Sequence, residues 1–175
     1  MTTYSMHAAS VPAFASMLRA MRTWLGYAAE HAAAKGFEPG VLLQMRLAPD
    51  MLPLVKQVQI AADAAKFCVA RLSGREAPKH DDDETTLERL QSRLAETADW
   101  IEGVPAGEVD GTEGKPVTMK LRQGEVTMNG LDYLRGFATP NFYFHATTTY
   151  ALLRHAGVEL GKGDYLGRPR PPKGS

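Results

Sequence analysis

Cysteine is nearly missing from this chain: Cys68 stands alone in 175 residues. That excludes an intrachain disulfide framework and a zinc site built from several thiolates, and it fits a reducing compartment, so the expected location is cytoplasmic. A charge excess is missing too, with 20 Lys and Arg against 20 Asp and Glu. A general phosphate-backbone binder needs a basic surplus, so no nucleic-acid partner is expected. No apolar run approaches the roughly 20 residues that span a bilayer, and no membrane partner is expected either. Acidic residues are absent before Glu30, while Arg19, Arg22 and several serines precede it, a composition shared with mitochondrial presequences. A helix explains the same stretch equally well. Val11, Phe14, Leu18, Met21, Leu25, Ala28 and Ala32 step by three and four without a break, the buried stripe of a long amphipathic helix.

What is present suffices for one globular domain with its own core. The first helix is predicted from about Ser5 to Lys35, stopping at Gly36 with Pro39 beyond, the usual order of C-terminal signals. Asp50 is the expected cap of the second helix, with Pro53 in its first turn, and the stripe Leu54, Val58, Ala61, Ala65, Cys68 and Leu72 runs to Gly74. The run Lys79-His80-Asp81-Asp82-Asp83-Glu84 leads into Thr85-Thr86-Leu87-Glu88, a capping-box pattern whose acids suit a helix N-terminus. The fixed spacing of a calcium loop is absent from it. Leu87, Leu90, Leu94, Ala98 and Ile101 make the third stripe, ending near Gly103. Beyond a Gly-, Pro- and acid-rich loop, Val117, Met119 and Leu121, then Val126 and Met128, alternate with polar residues around Gln123-Gly124, which predicts a β-hairpin. The last helical region spans Leu131 to Ala138 and continues to His155, with a break or a fresh start expected at Pro140. The fold expected is an all-α, mainly antiparallel four-helix bundle with a small inserted hairpin. Residues 1–167 form one domain in this reading, and 168–175 a flexible tail.

On a helical wheel Asn141, His145, Thr148, Leu152 and Ala156 share one face, polar for two turns and apolar afterwards. On the second helix Lys56, Gln59, Asp63 and Lys66 fall in a polar arc expected to face water, whereas Gln57 turns toward the apolar side. A buried amide needs hydrogen-bond partners, which a facing Asn or His supplies. Cys68 reads as a small core hydrophobe, and His7, His31 and His80 as solvated or capping groups.

With "RLAPDMLPLVKQVQIAADAAK", an inserted hairpin and the ending "PNFYFHATTTYALLRHAGVELGKGDYLG", the chain resembles the DinB/YfiT-like superfamily of four-helix bundles. Within that superfamily it is most similar to a branch known as a domain of unknown function. The resemblance implies a divalent metal on three histidines, one from the second helix and a His-x-x-x-His pair from the last. In some members it further implies transfer of low-molecular-weight thiols or isomerisation of their adducts. Aligned on "YALLRHAGV", the pair falls on Asn141 and His145, and the second-helix ligand on Gln57 or Gln59, the wheel favouring Gln57. Two of three imidazoles are thus replaced by amides, which are poor ligands for zinc or nickel. The expectation is a degenerate metal site in a small-molecule-binding or structural dimeric module, with Gln57, Asn141, His145 and Thr148 as the ligand-binding residues for an unknown small molecule. No cofactor is expected, a divalent metal at most held weakly with His145 its best single ligand. Homodimerisation is expected from aromatics beyond what four helices need to cover. The alternative is a metal-dependent thiol transferase or isomerase using His145.

Overall fold

The computed structural model describes residues 5–121, 124–168 and 170. Helix α1 spans Met6–Lys35, opened by the Ser5 hydroxyl accepting from the Ala8 amide at 3.2 Å and closed by Gly36 in the left-handed region at φ 73°. A short α2, Gly40–Leu43, precedes α3, Leu54–Ser73. The expected cap Asp50 is not used. The chain closes a separate turn there, Met51 N–H to Ala48 C=O, and extended Pro53 is the residue from which α3 starts. Helix α4, Leu87–Glu102, is capped by Thr86, whose hydroxyl accepts from the Arg89 amide at 3.2 Å.

After α5, Ala106–Val109, strands β1 (Pro116–Leu121) and β2 (Gly124–Asn129) pair antiparallel from Pro116 opposite Asn129 to Leu121 opposite Gly124. Gln123, placed in the turn from sequence, lies outside the described residues. Val117 and Met119 are buried while β2 is largely exposed, so the hairpin lies on the bundle by one face of β1. Gly130 follows. A Cβ there would stand 2.0 Å from the Thr112 carbonyl oxygen, so this close approach of backbones requires glycine.

Of the break or fresh start expected at Pro140, the second is found: Pro140 sits in the first turn of a new α-helical segment that the chain enters without interruption. Helix α6, Gly130–Tyr133, runs through a π-helical turn, Leu134–Ala138, directly into α7, Thr139–His155. Proline lacks an N–H, and in a regular helix its ring meets the carbonyl four residues back, here that of Gly136. The widened turn relieves this and keeps the axis continuous. Helix α8, Lys162–Tyr165, folds onto α1, where Trp24 Nε1 donates to the Asp164 carbonyl at 3.1 Å. Of the expected tail, Arg170 donates to Asp164 at 2.6 Å and lies 3.8 Å over the Tyr27 ring; residues 169 and 171–175 lie outside the described residues.

The four long helices α1, α3, α4 and α7 enclose the core. Arg19 pairs with Asp99 at 3.0 Å and with Glu102, while Gln91 reaches the Arg22 carbonyl, so α1 and α4 are antiparallel. Gln57 meets His145 and Arg71 meets Tyr133, so α3 runs antiparallel to the α6–α7 rod. Phe14 packs on Phe142 and Trp24 on Tyr150, which sets α1 and α7 side by side in the same direction. Helices α3 and α4 therefore also run the same way, and a tight turn cannot join parallel neighbours. Residues 74–86 make the return. Helix α3, at about 1.5 Å per residue, is about 30 Å long, and 13 extended residues reach about 40 Å. This strap travels back along α3 and carries the charged run with it.

Candidate functional site

The centre of the α3/α7 seam is a pair. His145 Nδ1 lies 2.7 Å from Gln57 Oε1, and Gln57 Nε2 donates to the Leu52 carbonyl at 3.0 Å. The amide nitrogen is committed to a carbonyl, so the oxygen must face the ring, and His145 must donate from Nδ1. That leaves Nε2 as a lone pair with no hydrogen-bond partner among the described residues. Gln57 and His145 are both buried, His145 being 9% exposed, and burial lowers the imidazole's pKa below its ordinary value.

The other two candidates are not drawn into this pair. Asn141 lies one turn away on α7, half-buried, where it lines a hollow of about 150 Å³ with Ile60, Phe67 and Arg71. Its side chain makes no hydrogen bond among the described residues. Thr148 is buried but returns its hydroxyl to the Phe144 carbonyl at 2.7 Å. No group of three or more His, Cys, Asp or Glu able to hold a metal ion occurs among the described residues. One imidazole, one engaged amide and one separate amide do not fit a site of three nitrogen ligands. Cys68 is buried in the core, and burial pushes its thiol up to about 12, the form of a packing residue rather than a nucleophile.

A second polar cluster was not foreseen. Gln59 and Lys66, expected to face water, are 1% and 2% exposed. The strap covers them. Lys66 Nζ donates to Asp63 and to His80 Nδ1, both at 2.9 Å, so His80 is not a solvated histidine. Arg93 of α4, 2% exposed, binds Asp63 at 2.8 Å, Asp82 at 2.6 Å and Glu84 at 3.0 Å, and Gln59 donates to Glu84 at 2.7 Å. The charged run is thus more than a helix start, since two of its acids tie the strap to a buried guanidinium. Burial works against ionising Asp82 and Glu84, but hydrogen bonds from Arg93, and from Gln59 to Glu84, outweigh it and hold both below the usual carboxylate range. Burial, then the charges of Lys66 and Arg93, lower His80.

These shifts fix a pH dependence. A histidine whose folded pKa is depressed binds its proton first in the unfolded chain, so its contribution is complete above pH about 6.5 and is lost as pH falls through that value. Depressed carboxylates do the same below about 4.5. The urea midpoint should be flat between about pH 7 and 8 and fall above about 8.5, where the unfolded chain ionises Cys68 and the folded chain does not; on the acid side it should fall from about 6.5 through His145 and His80 and steepen below about 4.5 through Glu84 and Asp82. A midpoint that rises between pH 7 and 5.5 would contradict the assignment.

A solved structure of a DinB family member protein from Shewanella denitrificans superposes with a TM-score of 0.83 at 39% identity, over 97% of this chain and 94% of that one. The fold is a DinB-like helical bundle. Residues 6–166 match the family described as "Domain of unknown function (DUF1993)", and the chain belongs to that family. No curated protein matches. No described helix is long and apolar enough to cross a membrane.

Proposed function

We propose that the protein is a small-molecule-binding, dimeric module in which the position of the DinB-like metal site has become a hydrogen-bonding centre. One observation carries this reading: the Nδ1–H of His145 is held by Gln57 Oε1 at 2.7 Å, and the Gln57 amide is anchored in turn on Leu52. A ligand bearing an N–H or O–H finds an acceptor in Nε2, with the Asn141 amide one turn along. Leu52 and Phe144, both exposed, flank the pair and would be covered by ligand or by a second copy of the chain.

A second reading follows from the same bond. A neutral imidazole whose Nδ1–H rests on a carbonyl oxygen is also how a metal ligand or a general base is oriented, which keeps a thiol transferase or isomerase using His145 in view. Metal analysis of the dialysed protein and of His145→Ala separates the two. The binding reading expects substoichiometric zinc and nickel in both proteins. Stoichiometric metal in the wild type, lost in His145→Ala, would establish the enzyme reading instead. Light scattering tests the dimer, and a mass of about 19 kDa at all micromolar concentrations would refute it.

A further inference from the structure

A recess of about 600 Å³ lies between the second half of α3 and the strap, away from the His145 pair. Its floor carries Phe67, an aromatic ring 38% exposed, with Lys66 Nζ 4.9 Å and the Arg71 guanidinium 5.3 Å from the ring centroid. The cations differ in what they already hold. Lys66 is engaged by Asp63 and His80, and Arg75 at the far end is paired with Glu108. Arg71 has no carboxylate partner among the described residues. One of its five N–H groups bonds the Tyr133 hydroxyl at 2.9 Å, and its planar face sits near the rings of Phe67 and Tyr133. Aromatic contacts thus hold the guanidinium in orientation while most of its donor edge stays unspent. Such a fork matches a carboxylate bidentately. The strap contributes exposed Glu76 and Asp81 to the same recess, which disfavours a doubly charged phosphate.

We propose that this cleft binds a planar aromatic carboxylate, its carboxylate on the free edge of Arg71 and its ring against Phe67. The inference is independent of the reading given for His145.

Calorimetric titration of the full chain with benzoate tests it, with benzamide and phenyl phosphate as comparators. Benzoate should bind, and both comparators should bind at least about tenfold more weakly, one lacking the charge and the other carrying an excess. Arg71→Lys keeps the charge but loses the fork and should weaken benzoate about tenfold. Phe67→Leu should weaken benzoate while leaving acetate unchanged. Tyr133→Phe removes the structural bond of Arg71 without touching its free edge and should leave benzoate binding intact, so it separates a folding role from a binding one even if Arg71→Lys is unstable. Amide shifts on titration should fall at residues 63–82 and spare His145. Absence of benzoate binding, equal affinity for benzamide, or unchanged affinity in folded Arg71→Lys would overturn the proposal.

Discussion

Replacing Arg93 with Met should cost about 3–5 kcal/mol of stability in urea denaturation, because it strands one buried carboxylate, that of Glu84, whose cation has gone. Asp63 keeps Lys66 at 2.9 Å and Asp82 keeps Lys56 at 3.6 Å, but Glu84, 8% exposed, is left with the Gln59 amide and its own backbone N–H and no cation. The loss should be largest in the strap, so amide exchange at residues 76–86 should accelerate ahead of global unfolding. Arg19→Met is the control. Its pairs with Asp99 and Glu102 lie in solvent, and exposed ion pairs contribute less than about 1 kcal/mol. If both variants cost the same, the strap is held by something other than the Arg93 cluster.

Trp24→Ala should be comparably damaging, about 3–5 kcal/mol, as expected for truncating a wholly buried large aromatic residue. Trp24 is the largest of the fully buried side chains, it packs edge-on to Tyr150 and stacked on Tyr165, and its indole N–H donates to the Asp164 carbonyl. The cavity would open between α1, α7 and α8, so the 161–168 segment should lose protection together with the core. Trp24→Phe retains most of the volume but not the donor and should cost less. Thermal denaturation of the two variants ranks them, and equal losses would mean that the hydrogen bond, not the packing, dominates.

The helices were legible because their burial is periodic. Core-facing residues of α1, α3 and α4 repeat at three and four, and Gly36, Gly74 and Gly103 stand where those stripes end. Gln57 was legible for the same reason, being the amide on the apolar side of its wheel. Gln59 and Lys66 were not. They lie on the face of α3 that a four-helix bundle alone would leave wet, and what buries them is the strap, whose path depends on α3 and α4 running parallel. A wheel knows one helix and cannot know that a neighbouring loop returns over it. The usable signal was the charge run itself: Asp82 and Glu84 precede α4 by a few residues, within reach of an arginine two turns inside it. Asn141 shows the opposite limit. Its spacing to His145 placed both on one face of α7, yet one helical turn separates them enough that only His145 meets Gln57. The continuous path through Pro140 was hidden because sequence periodicity does not distinguish a π-helical turn from a break.

The α3/α7 centre depends on the protonation pattern of one ring. Long-range nitrogen–proton correlation of the histidine side chains at neutral pH should show His145 as neutral imidazole protonated at Nδ1, with Nε2 carrying the shift of a bare lone pair, and Gln57→Leu should abolish that preference. A ring protonated at Nε2 or charged at pH 7, or an Nε2 shift moved by bound metal and restored by chelator, would contradict it.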